Sequence, residues 1–279
     1  MKPPFLSIVV PAYNEGACIA RTISEVTAEI DRRAVDAELL VVDDGSTDRT
    51  AAIVEDTHRL DPRVKLICAA HGGKGAAVRR GMLEARGAWR FLADADLSMP
   101  ISELGEFLPA FATGFGAASP AFAEGLGGAR PLSGDVPVDI VVGSREAAGA
   151  TRIDEPWRRH AIGRIFNWAV KVMVLRGVND TQCGFKLFSA RAAETLFPLQ
   201  RLDGFGFDVE ILFLAKRAGF AVREIPVTWK YGRQSKVNLL SGARGFLDLI
   251  TIRWNQVRGV YPPPIRAGQR LAGSKESVG

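Results

Sequence analysis

Cysteine is scarce in this chain of 279 residues: Cys18, Cys68 and Cys183 stand far apart, with no C-x-x-C pair. That excludes a disulfide framework and fits reduced thiols in a cytosolic protein. The three histidines, His58, His71 and His160, lack zinc-ligand spacing. No apolar run approaches the roughly 20 residues of a membrane-spanning helix. The opening MKPPFLSIVVPAYNE is not a signal peptide, because its apolar stretch is short and ends without a small-residue cleavage site. Two common phosphate-binding fingerprints are also missing. In HGGKGAAVRRG, Lys74 is followed by Gly75 rather than Ser or Thr, so this is not a P-loop. The first apolar run leads into PAYNEG rather than G-x-G-x-x-G, so it is not the dinucleotide motif.

What is present is ordinary for a globular protein: 47% hydrophobic and 24% charged residues. The length fits one large α/β domain or two small ones, with a core that needs no staples. The net charge of +5 mildly favours an anionic partner: a nucleotide, a phosphate or a membrane surface.

Short apolar runs alternate with helical stretches. LSIVV (6–10), ELLVVDD (38–44), VKLICAA (64–70), WRFLADAD (89–96) and DIVVGS (139–144) read as strands. Their near-continuous apolar character suits parallel strands covered on both faces. Helices are predicted near 15–31, 47–59, 74–87 and 102–112, the second capped by Ser46 or Thr47. The alternation predicts a doubly wound, mostly parallel α/β sheet, in which ligands bind beyond the carboxyl ends of the strands. PAYNE, DDGSTD, HGGKG, DADLS and GSRE each follow a strand, so polar residues gather at one rim. Residues 113–137 are rich in Gly, Ala and Pro and read as a mobile surface insertion. Further helices are predicted over 158–175 and 239–258. The chain thus divides into a main α/β domain (1–232), an amphipathic helical region (233–260) and a disordered tail (261–279).

In DADLS, Asp94 and Asp96 alternate along an extended segment and can face one cation. Hard oxygen ligands suit Mg²⁺ or Mn²⁺. The spacing equally suits a solvated turn. In VVDDGSTDRT, Asp43 and Asp44 sit at another strand end, where a carboxylate can accept from a base or ribose or simply shape a turn. HGGKG places glycines and Lys74 before a helix, which suits a phosphate or a tight turn.

Taken together, SIVVPAYNE, LLVVDDGSTDRT, GGKGAAVRRG and FLADADLS, in that order, resemble glycosyltransferase family 2. VVGSRE, NDTQCGFKLFSARAAETLF, FGFDVEILFLAKRAGFAVREIPVTW and SKV resemble its dolichyl-phosphate β-glucosyltransferase branch, with the dolichyl-phosphate mannose synthases next. The resemblance covers nearly all of 5–258. It implies a GT-A fold, a nucleotide-sugar donor (UDP-glucose first, GDP-mannose as the alternative), a divalent metal and a polyprenyl phosphate acceptor. By position, Pro11, Ala12, Tyr13, Glu15, Asp43 and Asp44 would hold the nucleoside, Lys74 and Ala95 would border the donor, and Asp94 and Asp96 would hold the metal. Arg145 would meet the acceptor phosphate, with Arg159, Arg164 and Lys236 as further candidates. Asp180, Gln182, Asp208 and Glu210 would line the sugar or acceptor side. There are two departures. Ser98 stands where mannose synthases usually carry Gln, and the N-terminal anchor of the eukaryotic glucosyltransferases has no counterpart in this sequence.

Plainer readings stand beside these. Asp208 and Glu210 also suit a helix start, Trp157, Trp168 and Trp229 suit packing, and Cys183 suits a small buried site. Arg158, Arg159 and Arg164 suit a solvated face. A family 2 transferase acting on a glycan hydroxyl and a nucleotide-sugar sensor are the competing functions. Over 239–258, Leu239, Leu240, Ala243, Phe246, Leu247, Ile250, Trp254 and Val257 recur at intervals of three and four, flanked by Lys236, Arg244, Arg253 and Arg258. Such a stripe suits either an anionic membrane surface or packing on protein. A lipid acceptor favours the membrane, and with it a peripheral position on the cytoplasmic face.

Overall fold

The computed structural model describes residues 2–108, 138–231 and 239–264. The expected insertion at 113–137, Lys236 and the tail from 265 onward lie outside the described residues. A seven-stranded sheet forms the centre. In chain order its strands are β1 (Leu6–Ala12), β2 (Ala37–Asp43), β3 (Val64–Cys68), β4 (Trp89–Leu92), β5 (Ile140–Ser144), β7 (Lys186–Ser189) and β8 (Val222–Pro226), arranged β3-β2-β1-β4-β7-β5-β8. All neighbours are parallel except β7, which runs antiparallel to both β4 and β5. A separate parallel pair joins β6 (Thr151–Ile153) to β9 (Thr228–Lys230).

Every residue of β1 and β2 is buried, as unbroken apolar runs require when helices cover both sheet faces. Alternate β1 residues feed two cores. Leu6, Ile8 and Val10 pack with Ile19, Ile23, Val26 and Ile30 of α1 (Ile19–Arg33). Val9 packs on the other side with Ala77, Val78 and Met82 of α3 (Lys74–Glu84). Between these helices in the chain lies α2 (Thr50–Leu60). Helix α4 (Leu104–Phe107) brings Phe107 to Phe91 and Phe185, an edge-to-face trio with centroids 5.0–6.0 Å apart. Each such pair adds about 0.5–1.5 kcal/mol beyond its burial. The second half contributes α5 (Trp157–Met173), α6 (Ala190–Leu196), α7 (Phe207–Arg217) and α8 (Leu239–Val257).

Helix α8 is apolar on two faces where the sequence pattern shows one. Leu249 and Ile252 are fully buried in the second core, and Phe246 packs edge-on against Phe166 of α5. Of the expected stripe, Leu247, Ile250, Trp254 and Val257 point outward, 56–80% exposed. Helix α5 repeats the arrangement: Phe166 and Val170 are buried, whereas Trp157, Ile162, Ile165, Trp168 and Val172 are exposed. These four positions of the stripe therefore do not pack on this protein's own core, whereas Phe246 does. Tyr261, the first position of the expected tail, is buried at 3% exposure.

Candidate active site

The strand order reverses between β1 and β4, and polar segments collect where those strands end, as this topology favours. Ala12 pairs in register with Asp43, and Ala93 continues β4 by donating to the Val9 carbonyl. The loops after β1 and β2 are stitched together. Asn14, in a left-handed conformation at φ 52°, donates its N–H to Ser46 Oγ and accepts from the Thr47 N–H. The Glu15 N–H donates to Thr50 Oγ1 and the Gly16 N–H to Asp48. Ser46 and Thr47 therefore do not cap α2. They join two loops, and the Asp48 carboxylate takes the Thr50 N–H instead.

The two aspartates after β2 divide their work. Asp44 accepts from the Gly72 and Gly73 N–H groups at 2.8 and 2.9 Å and lies 2.9 Å from His71 Nδ1. Its carboxylate shapes the glycine loop. Asp43 accepts from the Ser46 N–H through Oδ2, while its buried Oδ1 has no hydrogen-bond partner among the described residues. Such an orphaned acceptor needs an external donor. Tyr13, 37% exposed, stacks on His71 with centroids 4.2 Å apart. Pro11, Ala12 and Ala95 are buried in the floor of this rim.

Gly73 (φ +105°) turns the chain so that Lys74 opens α3 and reaches Asp94 at 2.7 Å. Burial pushes the Asp94 carboxyl up, but the ammonium of Lys74 and the charges of Lys186 and Arg145 hold it below its usual range. Asp96 is exposed and accepts from Ser98 N–H and Oγ. Because β7 runs antiparallel, the chain entering it arrives at this rim. A Cβ on Gly184 would collide with the Asp94 carboxylate. Lys186 is buried between the Cys183 carbonyl and Asp208. Burial drives the Asp208 carboxyl up, with the neighbouring lysines opposing it.

Arg145, just past β5, grips Asp180 with Nε and Nη2 at 2.7 and 2.8 Å, and its backbone N–H donates to the same carboxylate. Asp180 is fully buried. Burial raises its pKa, but Arg145 outweighs that and holds the carboxyl below its usual range. The Arg145 guanidinium lies 5.5 Å from the Trp229 ring. Asp180 therefore anchors Arg145. Gln182 is half-buried, Arg159 lies over Tyr231 at 5.1 Å, and Arg164 is exposed on α5. Glu210 is fully buried and accepts from the Arg201 and Leu202 N–H groups and the Tyr261 hydroxyl. The structure thus joins Lys74, Asp94, Arg145, Asp180, Lys186 and Asp208 in one charge cluster. Lys186, Gly184 and His71 were visible only as letters inside DTQCGFK and HGGKG, with no spacing rule to assign them.

The mostly parallel sheet with its polar loops at one rim is that of the GT-A glycosyltransferase fold. The profile of Glycosyl transferase family 2 matches residues 7–131. A dolichyl-phosphate beta-glucosyltransferase of Trichomonas vaginalis is 33% identical over 255 residues, 89% of this chain and 70% of that protein. One of Saccharomyces cerevisiae is 31% identical over 267 residues, 92% of this chain and 76% of that protein. The chain belongs to glycosyl transferase family 2 and is a glycosyltransferase. In fold it is similar to glucosyl-3-phosphoglycerate synthase of Mycobacterium tuberculosis, solved with Mn²⁺, UDP-glucose and phosphoglyceric acid. The TM-score is 0.60 at 20% identity, covering 89% of this chain and 79% of that one.

Proposed function

We propose that the protein moves glucose from UDP-glucose to a polyprenyl phosphate, with inversion, to give a β-linked polyprenyl-phosphate glucose. The observation that carries this reading is the charge cluster of Lys74, Asp94 and Arg145, in which the arginine suits an anionic acceptor and the Lys74–Asp94 pair suits a donor diphosphate. The names of the two relatives, both dolichyl-phosphate glucosyltransferases, support the same acceptor. The unpartnered Asp43 Oδ1 and the Tyr13–His71 stack suit a nucleobase: one oxygen for a ring N–H, one aromatic face for the ring.

Among the described residues no three acidic, cysteine or histidine side chains cluster as a ready-made metal cage. Asp94 and Asp96 fit a hard cation that takes its other oxygens from the diphosphate, and the Mn²⁺ and UDP-glucose of the similar synthase support that sharing. Mg²⁺ or Mn²⁺ held there would supply positive charge to the departing diphosphate. Lys74 supplies more of the same from the protein.

The acceptor phosphate is largely dianionic at pH 7, with a second pKa of about 6. One of its oxygens forms the new bond to the anomeric carbon. The bond from that carbon to the β-phosphate oxygen breaks, and UDP leaves with its electron pair. The phosphomonoester becomes a phosphodiester, and no proton need be removed. A hydroxyl acceptor would call for a general base, and Asp208 is buried and paired with Lys186.

Among the described residues no helix is long and apolar enough to cross a membrane. A lipid acceptor must be met at the surface, and α5 and α8 suit this. Trp157, Trp168 and Trp254 are the exposed tryptophans, and all lie on these two helices. Helix α5 has no acidic residue, and Asp248, the one acid in α8, takes the Gly206 N–H. The proposed position is therefore peripheral, on the cytoplasmic face of an anionic membrane.

The test incubates the full chain with UDP-glucose or GDP-mannose, Mg²⁺ or Mn²⁺, and a short polyprenyl phosphate or polyprenol, with products read by mass spectrometry. A hexosyl phosphodiester from UDP-glucose is expected. Transfer to polyprenol alone would overturn the reading.

A further inference from the structure

The segment between α6 and α7 lies against the glycine loop that carries Lys74, and every contact brings backbone to backbone or fixes it. The Ala76 N–H donates to the Asp203 carbonyl at 3.2 Å. Gln200, 1% exposed, donates through Nε2 to the carbonyls of Gly75 and Leu202 at 2.9 and 2.8 Å. Arg79 of α3 reaches Asp203 at 3.0 Å. The approach is so close that a Cβ on Gly73 would sit 2.7 Å from the Asp203 carbonyl oxygen, and one on Gly75 2.6 Å from that of Leu202. Phe205, at the end of the segment, places its ring 5.8 Å from Lys74 Nζ. Any shift of residues 200–206 must therefore move the loop that aims Lys74 at Asp94.

The far side of that segment is held by Glu210. Both Glu210 oxygens accept from the Arg201 N–H at 3.0 Å, and Oε2 accepts from the Leu202 N–H at 2.8 Å. Oε1 also accepts from the Tyr261 hydroxyl. Tyr261 arrives from beyond α8, a chain separation of 51 residues, and is pinned by Phe213 and Asn255. Asp248 of α8 adds a second hold by accepting from the Gly206 N–H. A fully buried carboxylate satisfied by neutral donors is expensive to maintain, and packing alone would be served by an apolar side chain. What the carboxylate does that an apolar group cannot is fix two consecutive N–H groups in one orientation.

We infer that Glu210, completed by Tyr261, is a positioning residue for the donor diphosphate: it fixes residues 200–206 against the glycine loop and so holds Lys74 where the diphosphate binds. The inference rests on the nucleotide-sugar reading of the rim. It assigns to the C-terminal segment a part in donor binding.

The test uses full-length protein and two nucleotides that differ by one phosphate. Affinities for UDP and UMP are measured by calorimetry in Mn²⁺ for wild type, Tyr261→Phe, Glu210→Gln, Lys74→Met and the double variant Lys74→Met/Tyr261→Phe. Tyr261→Phe should lower the UDP/UMP affinity ratio about fivefold, by loosening Lys74 while UMP affinity holds. In the Lys74→Met background the same change should move the ratio by less than about twofold, because the two act through one group. A merely structural role would lower the melting temperature and the binding stoichiometry and leave the ratio alone. If Glu210→Gln does not fold, Tyr261→Phe still decides. An unchanged ratio in Tyr261→Phe, or an equal drop in both backgrounds, overturns the inference. A wild type that binds UDP no better than UMP overturns the donor reading itself.

Discussion

Lys74–Asp94 and Arg145–Asp180 stand at the same rim and pair the same kinds of charge, yet they are built differently. Lys74 and Asp94 are each about a quarter exposed (23% and 27%) and meet through one hydrogen bond. Asp180 is fully buried, takes both prongs of the Arg145 fork and also receives that residue's backbone N–H. A compact ammonium on a flexible stem can turn from a carboxylate to an incoming diphosphate, whereas a bidentate guanidinium stays where it is set. The first pair is made to be exchanged. The second fixes an arginine in place and leaves the Nη1 edge of the fork outside the pair. On the proposed function, the donor's charge is met by groups that rearrange and the acceptor's charge by one that does not.

The sharpest way to break the comparison is to neutralise the exchangeable side. Asp94→Asn should lower the transfer rate about 10³-fold, the scale seen when one preorganised charge is removed from a transition state. Its melting temperature should stay near wild type, because the partly exposed pair adds little stability. Chelator should silence the wild type to a similar depth, with recovery on adding Mg²⁺ or Mn²⁺. Undiminished transfer in chelator would remove the metal from the proposal.

On the fixed side the loss should fall first on stability. Arg145→Ala leaves Asp180 buried without its partner, and removing one member of a buried pair costs about 3–5 kcal/mol. Arg145→Lys keeps the charge but loses the fork, and should raise the KM for polyprenyl phosphate about tenfold with UDP affinity unchanged. Denaturant melts and acceptor titrations read the two effects. A matched loss of UDP affinity would place Arg145 on the donor side.

Acid separates wild type from an unpaired variant. Asp180 has its folded pKa lowered, so its contribution to stability is complete above the unfolded value of about 3.9 and is lost as pH falls below it. The urea midpoint of the wild type should therefore drop from pH 5 to pH 3 more steeply than that of Asp180→Asn. Parallel slopes would mean that the pair contributes nothing.

The donor rim was far more legible in the sequence than its support. Strand ends followed by PAYNE, DDGSTD and DADLS mark a rim because period and punctuation are local properties: β1 and β2 fall within two residues of their expected ends, and β4 starts where expected but ends four residues early. The neighbouring pair Asp43 and Asp44 shows the limit. Adjacent, identical residues took different tasks, one shaping the glycine loop and one keeping an open acceptor, because their side chains leave the strand in different directions. The bonding of Glu210 was hidden for another reason. Its partner Tyr261 lies 51 residues away, and no local pattern announces a pairing of that span. Gly184 carries its meaning only through the antiparallel entry of β7, which brings it against Asp94.

The smallest expected effect on folding comes from the exposed stripe of α8, which the proposed function turns towards the lipid. Leu247, Ile250, Trp254 and Val257 are 56–80% exposed, so replacing Ile250 and Trp254 by Ser removes little buried area. The stability change should stay within about 0.5 kcal/mol per site, as for ordinary surface substitutions. UDP affinity should be unaffected, because the face that reaches Gly206, through Asp248, and the second core, through Leu249 and Ile252, is untouched. Binding to anionic vesicles should nevertheless fall severalfold, and the activity on a long polyprenyl phosphate in vesicles should fall with it. Activity on a short acceptor in detergent should remain. Co-sedimentation at low and high salt checks the binding, with weaker binding at high salt expected of a basic face. If the double Ser variant sediments with vesicles like the wild type but changes from a dimer to a monomer, the exposed stripe covers a second copy of the chain and the membrane contact lies elsewhere.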